Sequence, residues 1–440
     1  MQRRLGFEDP ADGMTAPHPT ASAPPEPAAH AGGQRRRTLT VLALATAFGS
    51  AGLAAGGTAG GLLAVEITGT QAVAGLPIGA LIIGQALSAI LMAVLTHRSG
   101  RGRSLAIGYL LGIAGAAIVA LAAVTGSLFV LLVGSLLLGG GNSAVFLARY
   151  AAAEIGGEAV RGKAIGAVLF AASIGAIASP NLLGPSSQLA TVLNLPALTG
   201  LYLVAILCFS AAGLLLAVAS LRPRSHGQAG AALLGQRTAQ AVSSRQIVSG
   251  LGQGSAWTCL LLLAIVNLVM VAVMAIAPIQ LDRHGTDLNT VGLVVAIHVA
   301  GMFLPSPLSG WLADRIGAWA VARAGALSIT AAMVTGILLD MDDVLAMSAM
   351  LFLLGVGWNL GIVGGSALLV TSVPSSVRPS AEGIGEVAMG LAAGTGAALA
   401  GPVVLAGGFA ALCAMGALMA ATAAMLPFLA SGYRHVKRRS

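Results

Sequence analysis

The sequence predicts an all-α integral membrane protein, with twelve transmembrane helices arranged as two related six-helix halves. Three observations predict this fold class: the composition, twelve long apolar stretches, and an internal repeat. Of the 440 residues, 57% are hydrophobic and only 9% are charged, whereas a soluble domain carries about 25% charged residues. So few charges cannot cover a water-facing surface, which argues against a soluble enzyme, a nucleic-acid-binding protein and a disordered scaffold.

The twelve apolar stretches are long enough to cross a bilayer as helices. A transmembrane helix needs about 20 mostly apolar residues, and its backbone groups must be hydrogen-bonded within the segment. None of the stretches alternates with a period of two, as the strands of a membrane barrel would. The predicted spans lie near 38–63, 75–96, 104–125, 127–151, 162–184, 196–221, 256–280, 288–312, 319–340, 344–371, 380–405 and 407–431.

The segments between and beyond the spans divide the chain. Residues 1–37 are rich in Pro, Ala and charge, which predicts a disordered N-terminal tail. Residues 222–255 hold several arginines and no acid, and we expect this cytoplasmic loop to join an N-terminal half (38–221) to a C-terminal half (256–431). Residues 432–440 form a basic C-terminal tail.

Basic residues lie almost entirely on one predicted side of the membrane. With the N-terminus inside, the outer loops hold a single arginine, Arg283. The positive-inside rule therefore predicts a multi-pass protein of the cell membrane with both termini in the cytoplasm. Orientation explains the net charge of +8 without a nucleic-acid partner. Three cysteines, all within predicted spans, exclude a disulfide scaffold.

An internal repeat relates the two halves. When the chain is aligned with itself at an offset of 217 residues, several polar residues and glycines coincide. Two related halves predict a pseudo-two-fold axis along the membrane normal, with a substrate site near the bilayer midplane between them. The matched pairs are Arg98 with Arg315, Gly100 with Gly317, Gly140 with Gly357, Asn142 with Asn359, and Arg161 with Arg378.

One loop carries a resemblance to a known family. Gly310-Trp-Leu-Ala-Asp-Arg-Ile-Gly317, between spans eight and nine, resembles the signature loop of the major facilitator superfamily. A degenerate copy follows span two, where His97 replaces the expected Asp. The resemblance implies secondary transport by alternating access, with no catalytic residue and no cofactor; we expect a monomer in the lipid bilayer. The predicted gating-loop residues are Gly310, Asp314, Arg315, Gly317, Arg98 and Gly100.

The energy source predicted from the sequence is an ion or substrate gradient. The stretch from Gly157 to Ala164 approaches a P-loop, but Ala164 lacks the hydroxyl that would hold Mg²⁺. Glu382 and Glu386 begin span eleven and are four residues apart, so they share a helix face. We expect them to couple a proton to transport. The alternative for Glu386 is an ion pair with Arg378 or Arg149.

Methionines and a histidine form a candidate metal site, called here the Met/His set: Met270, Met274, His298 and Met302. Met270 and Met274 in span seven, and His298 and Met302 in span eight, are each four residues apart. Met270 and His298 both lie about 15 Å below the outer ends of their helices. Thioethers suit Cu(I), and imidazole suits copper generally. Cys259 shares the Met270 face closer to the cytoplasm and is a possible metal exit.

The Met/His set carries a second resemblance. Met-x-x-x-Met followed by His-x-x-x-Met is similar to the CcoA-like copper importers, which implies that these four residues bind copper as substrate. Related members of that group resemble riboflavin transporters. The cysteines do not match an importer pattern, and methionine is also ordinary packing material. Copper import is therefore the specific hypothesis, and proton-coupled transport of a drug or a vitamin such as riboflavin is the alternative.

Three asparagines are candidate polar groups of the cavity. Asn142 and Asn359 are related by the repeat, and Asn267 lies one turn before Met270. A buried asparagine can bind substrate or form a hydrogen bond between helices, and the sequence leaves both roles open. A sensor without transport is a third class, but the chain shows no large soluble signalling domain.

Overall fold

A computed structural model describes residues 28–70, 73, 75–178, 183–221, 244–252, 256–283 and 288–437. Those residues form helices and short connections without a strand, which confirms the predicted all-α class. The first half contains α1 (Ala28–Thr68), α2 (Leu76–Ser99), α3 (Arg101–Thr125), α4 (Leu128–Gly156), α5 (Arg161–Ala178), α6 (Leu183–Val192) and α7 (Thr199–Leu221). The second contains α8 (Ser244–Gly252), α9 (Ala256–Arg283), α10 (Leu288–Phe303), α11 (Ser306–Ile316), α12 (Ala318–Leu338), α13 (Val344–Ser372) and α14 (Arg378–Lys437).

The helices correspond to the predicted spans with two differences in continuity. Span eight is divided into α10 and α11, because Pro305 between them has no backbone N–H to continue the helix. Spans eleven and twelve run together as α14, which is interrupted at Gly407 and at Gly408, where φ is +73°. Nine helices of the described part are long and apolar enough to cross a membrane.

Helix also occupies parts of the predicted connecting segments. α1 begins at Ala28, inside the predicted tail, and α8 lies within the predicted loop 222–255. α14 extends to Lys437, inside the predicted basic tail. Residues 1–27 and 222–243 lie outside the described residues.

Residues related by the sequence repeat also make equivalent packing contacts in the two halves. In the first half, α3 packs against α4, and in the second half α12 packs against α13. A Cβ atom on Gly108 would lie 3.0 Å from the carbonyl oxygen of Gly140, and one on Gly325 would lie 2.7 Å from that of Gly357. These glycine pairs are related by the repeat, so both halves use the same close backbone approach.

The halves meet mainly through two pairs of helices, α2 with α14 and α5 with α11, and α4 makes smaller contacts with α13 and α14. One end of this interface carries Arg98, Arg101, Arg161, Arg315 and Arg378, and is called here the basic side. At the basic side Gly383 approaches the backbone of Ala89. The basic side of the interface is therefore closed in this conformation.

Candidate functional site

Arg149 on α4 is the central charged group between the halves. Its side chain is 0% exposed. Its Nη2 atom donates to Glu386 Oε1 on α14 at 2.6 Å, and its Nε atom donates to Ser366 Oγ on α13 at 2.8 Å. A buried cation requires a paired anion and an acceptor for each of its N–H groups. Here the anion, Glu386, and one further acceptor, Ser366, come from the opposite half.

The contact between Arg149 and Ser366 locates the molecular axis. These residues are 217 positions apart, which is the offset of the internal repeat. Two positions exchanged by a two-fold rotation can touch only where both lie close to the rotation axis. The Arg149 guanidinium therefore lies near the pseudo-two-fold axis, where a substrate passing between the halves must travel.

Aromatic and sulfur groups surround the remaining faces of the guanidinium. Its central carbon lies 4.5 Å from the ring centroid of Tyr150, whose hydroxyl accepts from Nη2 at 3.2 Å. The Phe146 carbonyl accepts from Nη1 at 2.8 Å, and Met389 Sδ lies 3.6 Å from Nη2. Such cation–π contact adds to the electrostatic stabilisation of the buried cation.

Gln85 and Asn142 extend the polar groups away from the ion pair. Asn142 Nδ2 donates to Gln85 Oε1 at 2.7 Å, and the Gln85 amide lies near the Glu386 carboxylate that pairs with Arg149. Asn142 Oδ1 is buried and has no hydrogen-bond partner among the described residues. Since Asn142 and Arg149 are seven residues apart on one helix, they lie on the same face of α4.

The other two predicted cavity asparagines form hydrogen bonds between helices. Asn359 Nδ2 donates to Ser306 Oγ and to the Met302 carbonyl, and its Oδ1 accepts from Ser309. Asn267 Nδ2 donates to the Met389 carbonyl at 2.9 Å, while its Oδ1 accepts from the Trp358 indole at 3.0 Å. Both polar ends of each amide are therefore used within the protein.

A second buried ion cluster joins the halves nearer the basic side. Arg101 at the start of α3 donates Nη1 to Glu382 Oε2 on α14 at 2.6 Å. It also donates Nε and Nη2 to the two carboxylate oxygens of Glu154 on α4, at 2.9 and 2.8 Å. Glu382 and Arg101 are almost fully buried, whereas the Glu154 side chain is 22% exposed. The predicted proton-coupling residue Glu382 thus contacts a cation that sequence reasoning did not select.

The signature loop forms a closing contact with α5. Asp314 accepts hydrogen bonds from the backbone N–H groups of Gly162 and Lys163, at 2.6 and 2.9 Å. These N–H groups belong to the first turn of α5, where the helix dipole favours a negative charge. Gly310 lies so close to Gly162 that a Cβ on either would meet the other's carbonyl oxygen.

The degenerate copy of the loop makes a weaker contact at the related place. His97 Nε2 lies 3.2 Å from Ser380 Oγ at the start of α14. Arg98 and Arg315 are both exposed, and Arg315 lies over the Trp311 ring, with its central carbon 5.0 Å from the ring centroid. Gly100 and Gly317 both adopt positive φ, +89° and +93°.

The Met/His set is spread over helices that barely contact each other. α10 packs mainly against α13, and α9 packs against α13 and α14, so α9 and α10 touch over only a short stretch. His298 is buried, and its Nδ1 lies 2.7 Å from the Leu351 carbonyl on α13. Because a carbonyl only accepts, Nδ1 carries the proton, and Nε2 has no partner among the described residues.

The sulfur groups of the proposed metal path differ in their burial. Met270 is buried, and Met274 and Met302 are half-buried. Cys259 is buried, with its Sγ 3.6 Å from Ser372 Oγ. Across the described ranges, no group of three or more His, Cys, Asp or Glu side chains is placed to hold a metal ion. Metal binding by the Met/His set stays a prediction.

An all-helical membrane bundle with two pseudo-symmetric halves and buried ion pairs between them is the architecture of a secondary transporter. Residues 40–360 match the family model described as "Major Facilitator Superfamily". The chain belongs to this superfamily, and it is a multi-pass, non-enzymatic membrane transporter of a small-molecule substrate.

Full-length relatives agree with the family. The chain is 32% identical over 392 residues to YdeG of Bacillus subtilis (strain 168), an uncharacterized MFS-type transporter, covering 87% of this chain and 89% of the relative. It is 32% identical over 416 residues to the uncharacterized transporter YddS of the same organism, covering 92% and 93%. The riboflavin transporter RfnT of Brucella anthropi is 25% identical over 361 residues, covering 80% and 85%.

Solved structures share the fold. The Escherichia coli fucose:proton symporter FucP superposes with a TM-score of 0.70 at 16% identity, covering 89% of this chain and 98% of that one. The proton:xylose symporter XylE gives a TM-score of 0.71 at 18% identity, covering 90% and 96%. This fold contains twelve transmembrane helices in two halves, as the sequence predicted.

Proposed function

We propose that the protein is a monomeric, proton-coupled transporter of a small organic solute, with Glu386 as the proton carrier. The observation that carries this proposal is the buried contact between Glu386 on one half and Arg149 on the other. We further propose that the basic side faces the cytoplasm, together with both termini, because the basic residues concentrate there.

The proposed coupling follows from the charges. Alternating access requires α14 to move away from α4 when the basic side opens, which separates Glu386 from Arg149 and from Gln85. A buried carboxylate without its cation is unfavourable by several kcal/mol, so opening favours the protonated form. Conversely, a proton on Glu386 removes the attraction to Arg149 and favours opening. Acid therefore promotes the state that is open to the basic side.

Glu382 has a different proposed role in this scheme. It shares Arg101 with Glu154 near the surface of the basic side. The contact of Asp314 with the first turn of α5 lies at the same side. We assign both contacts to closure of that side, while Glu386, deeper and on the axis, responds to the proton.

Two findings support an organic solute. The polar groups around Arg149 are amides, a hydroxyl and aromatic rings, which suit an organic molecule. One relative, RfnT, is a riboflavin transporter, and the similarity to it spans 80% of this chain. Riboflavin, which is uncharged at neutral pH, is therefore tested beside organic acids, because its uptake would identify a neutral solute.

Hydrogen exchange of the Gly162 and Lys163 amides tests the coupling without knowledge of the substrate. These amides bond to Asp314 only while the basic side is closed. After correction for the intrinsic pH dependence of exchange, we expect their protection in the wild type to fall in acidic buffer. Glu386→Gln should show low protection at both pH values, and the control Glu66→Gln, at an exposed site on α1, should match the wild type. Wild-type behaviour in Glu386→Gln would refute the role of Glu386.

Copper import is the second candidate, because His298 Nε2 is a buried acceptor without a partner in the described chain. The orientation of His298 toward α13 does not favour a site shared with Met270. Copper-limited cells expressing equal amounts of the wild type or of Met270→Ala/His298→Ala test it by elemental analysis. Higher cell-associated copper in the wild type alone would support import. Copper equal to that of the empty vector in both would end this hypothesis.

A further inference from the structure

We infer that the transported solute is an organic anion and that Arg149 binds its acidic group. This inference rests on the proposed function, because the solute takes the place of Glu386 beside Arg149. It adds a substrate class and a binding residue that the proton-coupling scheme does not specify.

Arg149 keeps its positive charge when the halves separate. An arginine side chain stays protonated in proteins, so Arg149 cannot become neutral. Its partners within the first half are the Phe146 carbonyl and the Tyr150 hydroxyl, and neither carries a charge. Its carboxylate partner, Glu386, belongs to the other half. An uncompensated cation within the membrane is costly, and an anionic solute would compensate it.

An anionic solute together with a proton keeps the net charge beside Arg149 constant over the transport cycle. In the empty, closed state the guanidinium and the Glu386 carboxylate sum to zero. With an anion on Arg149 and a proton on Glu386, the sum is again zero. Both states can therefore pass through a closed, desolvated conformation. Binding of the solute anion without the proton would leave one buried negative charge, so the anion and the proton cross together.

Asn142 constrains the size and polarity of the solute. Asn142 lies on the same face of α4, about 10 Å from Arg149 along the helix at 1.5 Å per residue. Its Oδ1 atom is buried and lacks a partner among the described residues, and such an acceptor is costly to leave unsatisfied. A solute with an acidic group at one end and a hydrogen-bond donor toward the other end would satisfy both side chains.

The surroundings favour an organic acid over an inorganic anion. The groups beside the guanidinium are the Tyr150 ring, the Phe146 ring at 5.9 Å and the Met389 thioether. They offer an apolar and aromatic surface and few additional donors. An inorganic anion would need such donors on every side, whereas a carboxylate on an aromatic or aliphatic body uses the guanidinium alone.

The test measures thermal stabilisation of the full-length protein in lipid nanodiscs by small acids. The probes are benzoate and 4-hydroxybenzoate, each compared with its neutral amide. Glu386→Gln leaves Arg149 without a carboxylate competitor, so it should bind the acids at least about tenfold more tightly than the wild type in neutral buffer. In the wild type, acidic buffer should tighten binding of the acids, and neither protein should bind the amides.

Two further variants keep the inference falsifiable. Arg149→Gln/Glu386→Gln removes both charges together, so it leaves no unpaired ion that would prevent folding, and it should lose the response to acids. Asn142→Ala should weaken binding of 4-hydroxybenzoate more than that of benzoate. The inference is overturned if no acid stabilises Glu386→Gln, or if the double variant responds as strongly as Glu386→Gln.

The outcomes separate this inference from the proposed function. If hydrogen exchange shows proton-dependent opening but Glu386→Gln binds no acid, the coupling stands and the anionic substrate class fails. If acids bind through Arg149 while wild-type binding is the same in acidic and neutral buffer, the substrate class stands. Proton carriage by Glu386 then fails.

Discussion

Asn142 and Asn359 occupy equivalent places in the two halves, yet only Asn142 has an unused polar atom in the described structure. Asn359 is fully hydrogen-bonded by Ser306, Ser309 and the Met302 carbonyl, whereas Asn142 Oδ1 has no partner. The same residue in the same helical position therefore uses both polar ends of its amide in one half and leaves its carbonyl oxygen without a partner among the described residues in the other.

Cations and anions of the interface are also divided unequally between the halves. The first half supplies the cations Arg101 and Arg149, and the second half supplies Glu382 and Glu386. Arg101 also pairs with Glu154 of its own half, whereas the ion-pair partners of Arg149, Glu382 and Glu386 in the described structure all belong to the opposite half. The repeated glycine contacts of α3 with α4 and of α12 with α13 show that the scaffold stays similar while the interface chemistry diverges.

Among positions related by the repeat, Arg149 and Ser366 should differ most in the stability that is lost on substitution by alanine. Arg149→Ala leaves Glu386 buried without its cation, which we expect to cost about 3–5 kcal/mol of stability. Ser366→Ala removes one hydrogen bond to the same guanidinium and should cost about 1 kcal/mol. Thermal unfolding in detergent measures both. Equal losses would contradict the assignment of Arg149 as the charge that joins the halves.

The contacts of Asp314 and His97 should show the next largest difference, measured as the change in hydrogen exchange on substitution. Asp314 accepts two backbone N–H groups with a charged carboxylate, a kind of hydrogen bond worth about 1.5–3 kcal/mol. Asp314→Asn should therefore raise hydrogen exchange at Gly162 and Lys163 about ten- to a hundredfold. His97→Asn removes one long contact with Ser380 and should change exchange at the start of α14 by less than about tenfold. A larger effect at His97 than at Asp314 would reverse the comparison.

Substitution of Asn359 should mainly affect stability, whereas substitution of Asn142 should mainly affect transport. Asn359→Ala removes the partner of the Ser306 hydroxyl and one donor to the Met302 carbonyl, while Ser309 can still donate to the Pro305 carbonyl, and it should lower the free energy of unfolding by about 1–3 kcal/mol. Asn142→Ala should lower it by less than about 1 kcal/mol, because one of its polar atoms has no partner to lose. Uptake by cells with matched protein levels should fall more for Asn142→Ala. Unchanged uptake in that variant would assign Asn142 to packing.

Substitution of Gly100 and of Gly317 by alanine should lower stability by the same amount. Both have positive φ with extended ψ, 158° and 145°, a region that is essentially restricted to glycine. Alanine at either position should cost about 1–3 kcal/mol by backbone strain, and the two losses should agree within about 0.5 kcal/mol. Unfolding of the two variants side by side measures this, and unequal losses would show that the loops are not equivalent.

The fold could be predicted from sequence because its signals are local. About 20 apolar residues suffice to predict a membrane helix, and polar residues repeated at one offset predict the two halves. The division of span eight at Pro305 and the continuity of α14 were not predicted. They depend on how individual residues interrupt or extend helices whose apolar patterns look uniform.

The site was predicted less completely, because its contacts join distant helices. Rare intramembrane charges pointed to Glu386 and to Arg149 as a possible partner. The contacts of Arg101 with Glu154 and Glu382 depend on three helices meeting, and no local pattern predicts that. The prediction for His298 assumed that spans seven and eight pack along their length. Helical spacing gives the face that a residue occupies, but it does not give the helix that covers this face.

The contact between Arg149 and Ser366 also constrains the evolutionary history of the chain. If both halves descend from one duplicated ancestor, that ancestor assembled as two identical copies with the same residue twice at the axis. Two arginines in contact there would repel each other in a low-dielectric interior, whereas two serines would not. The arginine therefore entered after duplication, when the two copies could change independently. Independent change of the two copies is what allows an unequal pair of residues at the centre.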